Sequence, residues 1–169
     1  ITNGITIIFS PWYNSPLSPE LTSQYKKIIF SDYELKDGIF DAYENNNFNG
    51  FVLIDCQFSQ PIDNVLNNCI SLTHLTFNYS FNQPLGNSLN NCTALTHLTF
   101  GEHFSQPLNN ALNNCTKLTH IIFGNKFNQP LANSLDNCTA LIYIEFICEF
   151  NHPLANSLNN CTALTNLSI

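Results

Sequence analysis

Three histidines recur at a fixed interval in the middle of the chain. His74, His97 and His120 are separated by 23 residues each time, and neighbouring imidazoles could ligate zinc or respond to pH. The row brings no carboxylate or thiolate to the same point, and each histidine belongs to a longer repeated segment. We therefore interpret the row as structural repetition, with metal binding or pH sensing as the alternative, and we predict no metal and no cofactor.

Seven cysteines form a second group that could carry chemistry. Stacked repeats would place five of them in one column, where parallel Cβ vectors disfavour the disulfide dihedral of about 90°. We expect reduced, buried thiols that pack as small hydrophobic side chains. An odd count without strong pairing favours an intracellular, reducing location over secretion. The five column members are Cys69, Cys92, Cys115, Cys138 and Cys161.

The rest of the composition excludes several classes of function. No nucleophile elbow, phosphate loop or metalloprotease motif occurs, so no catalytic activity is expected. The net charge is −7 and all five basic residues are lysines, which leaves no arginine for bidentate phosphate contacts and argues against a nucleic-acid partner. No run reaches the roughly 18 apolar residues of a membrane span.

The histidine and cysteine intervals reflect an internal repeat of 23 residues. Five regular copies fill residues 58–169, and a typical unit reads FNQPLGNSLNNCTALTHLTFGEH, from Phe81 to His103. Its Leu-x-x-Leu-x-Phe segment predicts one short parallel strand, with leucine and phenylalanine inward and histidine and threonine outward. The proline then turns the chain, and the return segment is expected to be a short helical or 3₁₀ turn, or irregular. Stacked coils would bury one continuous core.

The first third of the chain carries degraded copies of the same unit. Three earlier strands are predicted near Ile5–Phe9, Lys27–Phe30 and Phe51–Ile54. Variation at the end of an array is expected where a repeat caps the core. We therefore predict a leucine-rich-repeat-like solenoid of about eight coils, in which residues 1–57 form degenerate repeats or a cap of one continuous domain.

The repeated residues resemble a known family. Leu-Thr-His-Leu-Thr-Phe-Gly followed by Phe-Asn-Gln-Pro-Leu is similar to the FNIP repeats, a branch of the leucine-rich repeats found in social amoebae and in giant viruses that infect amoebae. Asn-Cys-Thr-Ala-Leu-Thr-His-Leu-Thr-Phe also resembles the BspA-type leucine-rich repeat. The resemblance implies a parallel-sheet solenoid that binds proteins. Some FNIP proteins resemble F-box adaptors of ubiquitin ligases, but no F-box pattern precedes the first repeat here.

Binding is expected where outward strand positions depart from the repeat, because an aromatic or aliphatic residue there has no core to fill. The alternative explanations are that a cap covers Phe51 and Leu53, and that Tyr143 and Ile147 reflect drift between copies. We predict a non-catalytic scaffold that binds a protein of unknown identity. The alternatives are a structural protein that assembles head to tail through its terminal coils and, less favoured, a ubiquitin-ligase adaptor fragment. The candidate binding residues are Phe51, Leu53, Ile122, Tyr143, Glu145 and Ile147, beside His74, His97 and His120.

Overall fold

The computed structural model describes residues 66, 69, 70, 72–154 and 156–169 and, earlier in the chain, the backbone of three strands. All its strands are short, as a coil of 23 residues requires. In chain order they are β1 Thr6–Phe9, β2 Lys27–Ser31, β3 Phe51–Asp55, β4 His74–Phe77, β5 His97–Thr99, β6 His120–Phe123, β7 Tyr143–Phe146 and β8 Asn166–Ser168.

These strands form one parallel sheet in which each strand pairs with the next one in the sequence. The register joins equivalent positions of successive repeats, so that His74 pairs with His97 and His97 pairs with His120. The predicted solenoid of eight coils is confirmed, including the three strands predicted in the first third. The division of the chain near residue 57 stays a prediction.

The described return segments consist of separate turns and contain no helix. Within one coil, backbone N–H groups bond to the carbonyl three residues back at Ser88, Cys92 and Leu95, at 2.9, 3.1 and 3.0 Å. With the same bond at Asn90, they recur every two or three residues and do not run consecutively, because the chain must bend around the core within one coil. Of the predicted alternatives, the irregular return is the one observed. In the described part of the chain no helix is long and apolar enough to cross a membrane.

Two stacked columns of phenylalanine rings run through the interior, beside buried leucines and cysteines. Strand side chains alternate between buried and half-buried in β4, β6 and β7, as the two-residue period of a strand dictates. Phe77 stacks on Phe100 at a centroid distance of 5.5 Å, and Phe81 stacks on Phe104 at 5.7 Å. The two columns touch where Phe100 stacks on Phe104 at 4.1 Å. Each coil therefore covers the aromatic rings of its neighbours.

The cysteine column lies inside this core as free thiols. The thiols of Cys92, Cys115, Cys138 and Cys161 each donate a hydrogen bond to a leucine carbonyl of the preceding coil. The Sγ of Cys115, for example, lies 3.3 Å from the oxygen of Leu89. Burial raises the pKa of Cys115 to about 12. These thiols are therefore poor nucleophiles that satisfy backbone carbonyls.

Two backbone features recur between coils. The residue after the Pro-Leu turn has a left-handed conformation, with φ of 53° at Gly86, 49° at Asn109 and 47° at Ala132. Glycine and asparagine tolerate this conformation, whereas alanine is strained in it. The second feature is a glycine where neighbouring coils pack closely, at Gly101 and Gly124. A Cβ atom on Gly101 would lie 1.7 Å from the carbonyl oxygen of Asn78.

Candidate functional site

The side of the sheet that faces away from the core presents two columns of half-buried side chains. We call the part contributed by β4 to β7 the outer face. Strand alternation places these residues outward, and the parallel register aligns them between coils. The first column contains His74, His97, His120 and Tyr143, and the second contains Thr76, Thr99, Ile122 and Glu145.

The first column is a continuous stack of rings. His74 and His97 lie face to face at a centroid distance of 4.4 Å with planes 7° apart, and His97 and His120 at 4.5 Å with planes 6° apart. Tyr143 continues the column at 5.7 Å from His120, with its ring tilted by 32°. The three histidines predicted as a row are therefore a ladder in direct contact.

A threonine beside each imidazole fixes its orientation. The Nδ1 atom of His97 lies 2.9 Å from the Oγ1 of Thr96, and His120 has the same contact at 2.9 Å with Thr119. The hydroxyl of Thr96 uses its only proton to donate a hydrogen bond to the carbonyl of Thr73, at 2.8 Å. It must therefore accept a hydrogen bond from the imidazole, so the Nδ1 of His97 carries the proton.

The same inference holds one coil further on. The hydroxyl of Thr119 donates to the carbonyl of Thr96 at 2.9 Å, so it accepts from the Nδ1 of His120. A neutral imidazole carries one proton. The Nε2 atoms of His97 and His120 are therefore lone-pair acceptors.

This geometry does not suit a metal shared between neighbouring histidines. Zinc requires ligand nitrogens at about 2.0–2.1 Å in a tetrahedral arrangement. The rings of His74 and His97 are nearly parallel and 4.4 Å apart, so their equivalent nitrogens point side by side and do not converge on one point. Turning a ring toward its neighbour would break its bond to threonine. Among the described residues, no group of three or more metal-ligating side chains is placed to hold an ion.

The central histidine of the ladder, His97, is harder to charge than a free imidazole. The pKa of His97 is lowered from 6.5, first by burial and then by the like charges of His74 and His120. A second imidazolium stacked within 5 Å of the first repels it. His97 is consequently neutral at neutral pH.

The outer face changes character at β6 and β7. Ile122 replaces the threonine of the second column, and Glu145 follows it in register. The hydroxyl of Tyr143 donates to Oε2 of Glu145 at 2.9 Å, and this bond is the main cause of the raised pKa of Tyr143. Ile142 occupies the position that Thr96 and Thr119 hold in earlier coils. An apolar and acidic patch thus adjoins the ladder.

The remaining predicted residues lie at the ends of this surface. Ile147 follows β7 by one residue, is 59% exposed, and its N–H donates to the carbonyl of Phe123 at 3.0 Å. Phe51 and Leu53 pair in backbone register with His74 and Thr76. They therefore belong to the same two columns, but their side chains lie outside the described residues.

Reasoning from sequence missed the threonines beside the ladder. Thr73, Thr96 and Thr119 directly precede the three histidines, and at Ile142 and Tyr143 both residue types are replaced together. That paired replacement is the sequence signal that could have indicated a histidine–threonine contact.

Comparison with known proteins shows that these coils are similar to leucine-rich repeats. A family model for the BspA type leucine-rich-repeat region matches residues 41–165 in six copies. The solved structure of CroV588, a novel circular LRR protein, matches 96% of this chain with a TM-score of 0.62 and 28% identity. The chain spans 26% of the length of that protein. A comparison with curated proteins gives no match. The finer resemblance to FNIP repeats stays a prediction.

Proposed function

Because the chain belongs to the BspA-type leucine-rich-repeat family, we propose that it is a non-catalytic scaffold that binds another protein on its outer face. One observation carries the proposal: β6 and β7 present Ile122, Tyr143 and Glu145 outward, where packing of the core requires none of them. Side chains that depart from the repeat without a packing reason are candidates for recognition.

The arrangement of this patch supports a protein partner. Tyr143 combines a large ring with a hydroxyl bonded to Glu145, and aromatic anchors of this kind dominate binding energy in many interfaces. Ile122 adds apolar surface in the adjacent strand. The half-buried threonines and histidines of β4 and β5 would form the polar margin around this patch.

The test restores the repeat within the patch. A variant with Ile122→Thr, Tyr143→His and Glu145→Thr has the side chains of earlier coils, so the fold should be retained. Photocrosslinking at position 99 in the source organism's extract should capture a partner with the natural chain and lose it with this variant. The matched control is Tyr79→Asn, which removes a ring that is 58% exposed outside the outer face. Equal capture by the natural chain and the restored variant would refute the site.

We place the scaffold in a reducing, intracellular compartment. The support is that six described cysteines are free thiols, five of which fill the core. Expression as an export fusion should yield less folded protein than cytosolic expression. Equal yields of folded protein would count against this location.

A further inference from the structure

The histidine ladder presents hydrogen-bond acceptors at a regular spacing. Because the Nδ1–H groups of His97 and His120 donate to threonine hydroxyls, the other ring nitrogen of each keeps its lone pair. The stack sets the repeat distance of the rings at 4.4–4.5 Å. The outer face therefore offers a row of nitrogen acceptors in a fixed orientation.

The electrostatic surroundings favour a cationic donor over an anionic one. The chain has 12 acidic and five basic residues, with a net charge of −7. Glu145 adds an acidic side chain to the second column of the outer face, and it lies two strands from His97. The ionisable groups along the two columns are His74, His97, His120, Tyr143 and Glu145, and Lys27 occupies the equivalent register position in β2.

We infer that the ladder binds a basic segment of the protein partner, whose lysine or arginine side chains donate N–H groups to the Nε2 atoms of His97 and His120, and that acidification releases this segment. The inference rests on the proposed function, since it names the partner chemistry and the regulation of the same outer face.

Protonation changes both the hydrogen bonding and the charge of the ladder. An imidazolium has two N–H donors and no acceptor, so it cannot accept a hydrogen bond from lysine or arginine. Positive charge on stacked rings also repels a basic segment. Both effects act in the same direction, and they arise in the pH range where histidine titrates.

Thr96 and Thr119 are positioning residues for this row. Replacing them with valine removes the hydroxyls at similar volume and leaves the backbone bonds intact. The carbonyl of Thr73 still accepts from the N–H groups of Thr96 and His97, at 2.8 and 3.1 Å. Without the hydroxyl, nothing holds the imidazole proton on Nδ1.

The experiment measures nitrogen resonances of the histidine side chains in the purified full chain. At about pH 7.5 the spectra should show His97 and His120 protonated on Nδ1, and a hexa-arginine peptide should shift their Nε2 resonances. At about pH 5.5, or in the Thr96→Val, Thr119→Val variant, peptide affinity at this site should fall about tenfold or more. The matched control is Thr93→Val with Thr116→Val, two exposed threonines in the turns of the same coils.

Several results would overturn the inference. Protonation on Nε2 at neutral pH would remove the acceptor row. Peptide binding that leaves the Nε2 resonances unchanged, or that is equally strong in acid, would place the site elsewhere. Tighter binding of a hexa-glutamate peptide would assign an acidic partner, and concentration-dependent shifts without peptide would assign a second copy of this chain. These outcomes are independent of the crosslinking assay, so the proposed function can fail or hold separately.

Discussion

Replacing Phe104 with alanine tests whether each coil shelters its neighbours. Its ring is 0% exposed and stacks on Phe100 at 4.1 Å, on Phe81 at 5.7 Å and on Phe127 at 6.0 Å. The ring thus has column neighbours in both adjacent coils. Its removal leaves a cavity bounded by three other phenylalanines, none of which can fill it without leaving its own stack.

The expected loss follows from burial and cavity formation. Truncating a buried phenylalanine to alanine lowers the free energy of unfolding by about 3–5 kcal/mol. Phe104 also loses its stacking with three other rings, which contributes in addition to burial of its surface, so we expect a loss of about 4–5 kcal/mol. Phe150 is the matched comparison, because it is 7% exposed and its column neighbour among the described rings is Phe127, at 6.2 Å. We expect Phe150→Ala to cost about 2–3 kcal/mol.

Equilibrium unfolding in guanidinium chloride, followed by circular dichroism, measures both losses. Hydrogen exchange on the same variants reports which coils open, since a solenoid can unfold locally. The slowly exchanging amides of β5 and β6 should lose protection in Phe104→Ala and keep it in Phe150→Ala. Equal losses of unfolding free energy in the two variants would refute the view that stability comes from contacts with both neighbouring coils.

Three further predictions concern the backbone, the ladder and the thiols. Ala132→Gly should stabilise the chain by about 1 kcal/mol, because a left-handed φ of 47° strains alanine, and Gly86→Ala should do the reverse; thermal melts that move both variants the same way would contradict this. The pKa of His97 is lower in the folded chain than its usual 6.5, so the unfolded chain binds the proton first and stability falls as pH drops below about 6.5. His97→Gln should therefore lose less melting temperature between about pH 7.5 and 5.5 than the natural chain, and an unchanged loss would exclude this coupling. Burial raises the pKa of Cys115 from 9.0 to about 12, so its thiolate fraction near neutral pH falls about a thousandfold. Mass spectrometry should therefore find Cys115 unmodified by a thiol reagent until the chain unfolds. Labelling of Cys115 in the folded chain would show that the core is open.

Much of the fold is readable from the sequence because its causes are local and repeated. The alternation in Leu-Thr-His-Leu-Thr-Phe decides which side chains point inward, and the fixed interval decides which residue of the next coil they meet. Strands β1 to β3 were placed by the same alternation even where the repeat is degraded. The return segment was less predictable, since its turns depend on how the chain bends around neighbouring coils.

The outward positions of the candidate residues were predictable from strand alternation, whereas their hydrogen bonding was not. Tyr143, Ile122 and Glu145 stand out because they break a pattern. The tautomer of His97 could not be inferred from that pattern, because it depends on the hydroxyl of Thr96 donating across the coil boundary to Thr73.

The sequence by itself determined the solenoid, its eight strands and the inward or outward side of each repeated residue, because strand alternation and a constant repeat length are properties of the chain. Only the tertiary structure decided the stacking of the histidines, the location of their protons and the poor nucleophilicity of the buried thiols. Those properties depend on distances between groups in different coils and on exclusion of water, and neither exists until the coils are stacked.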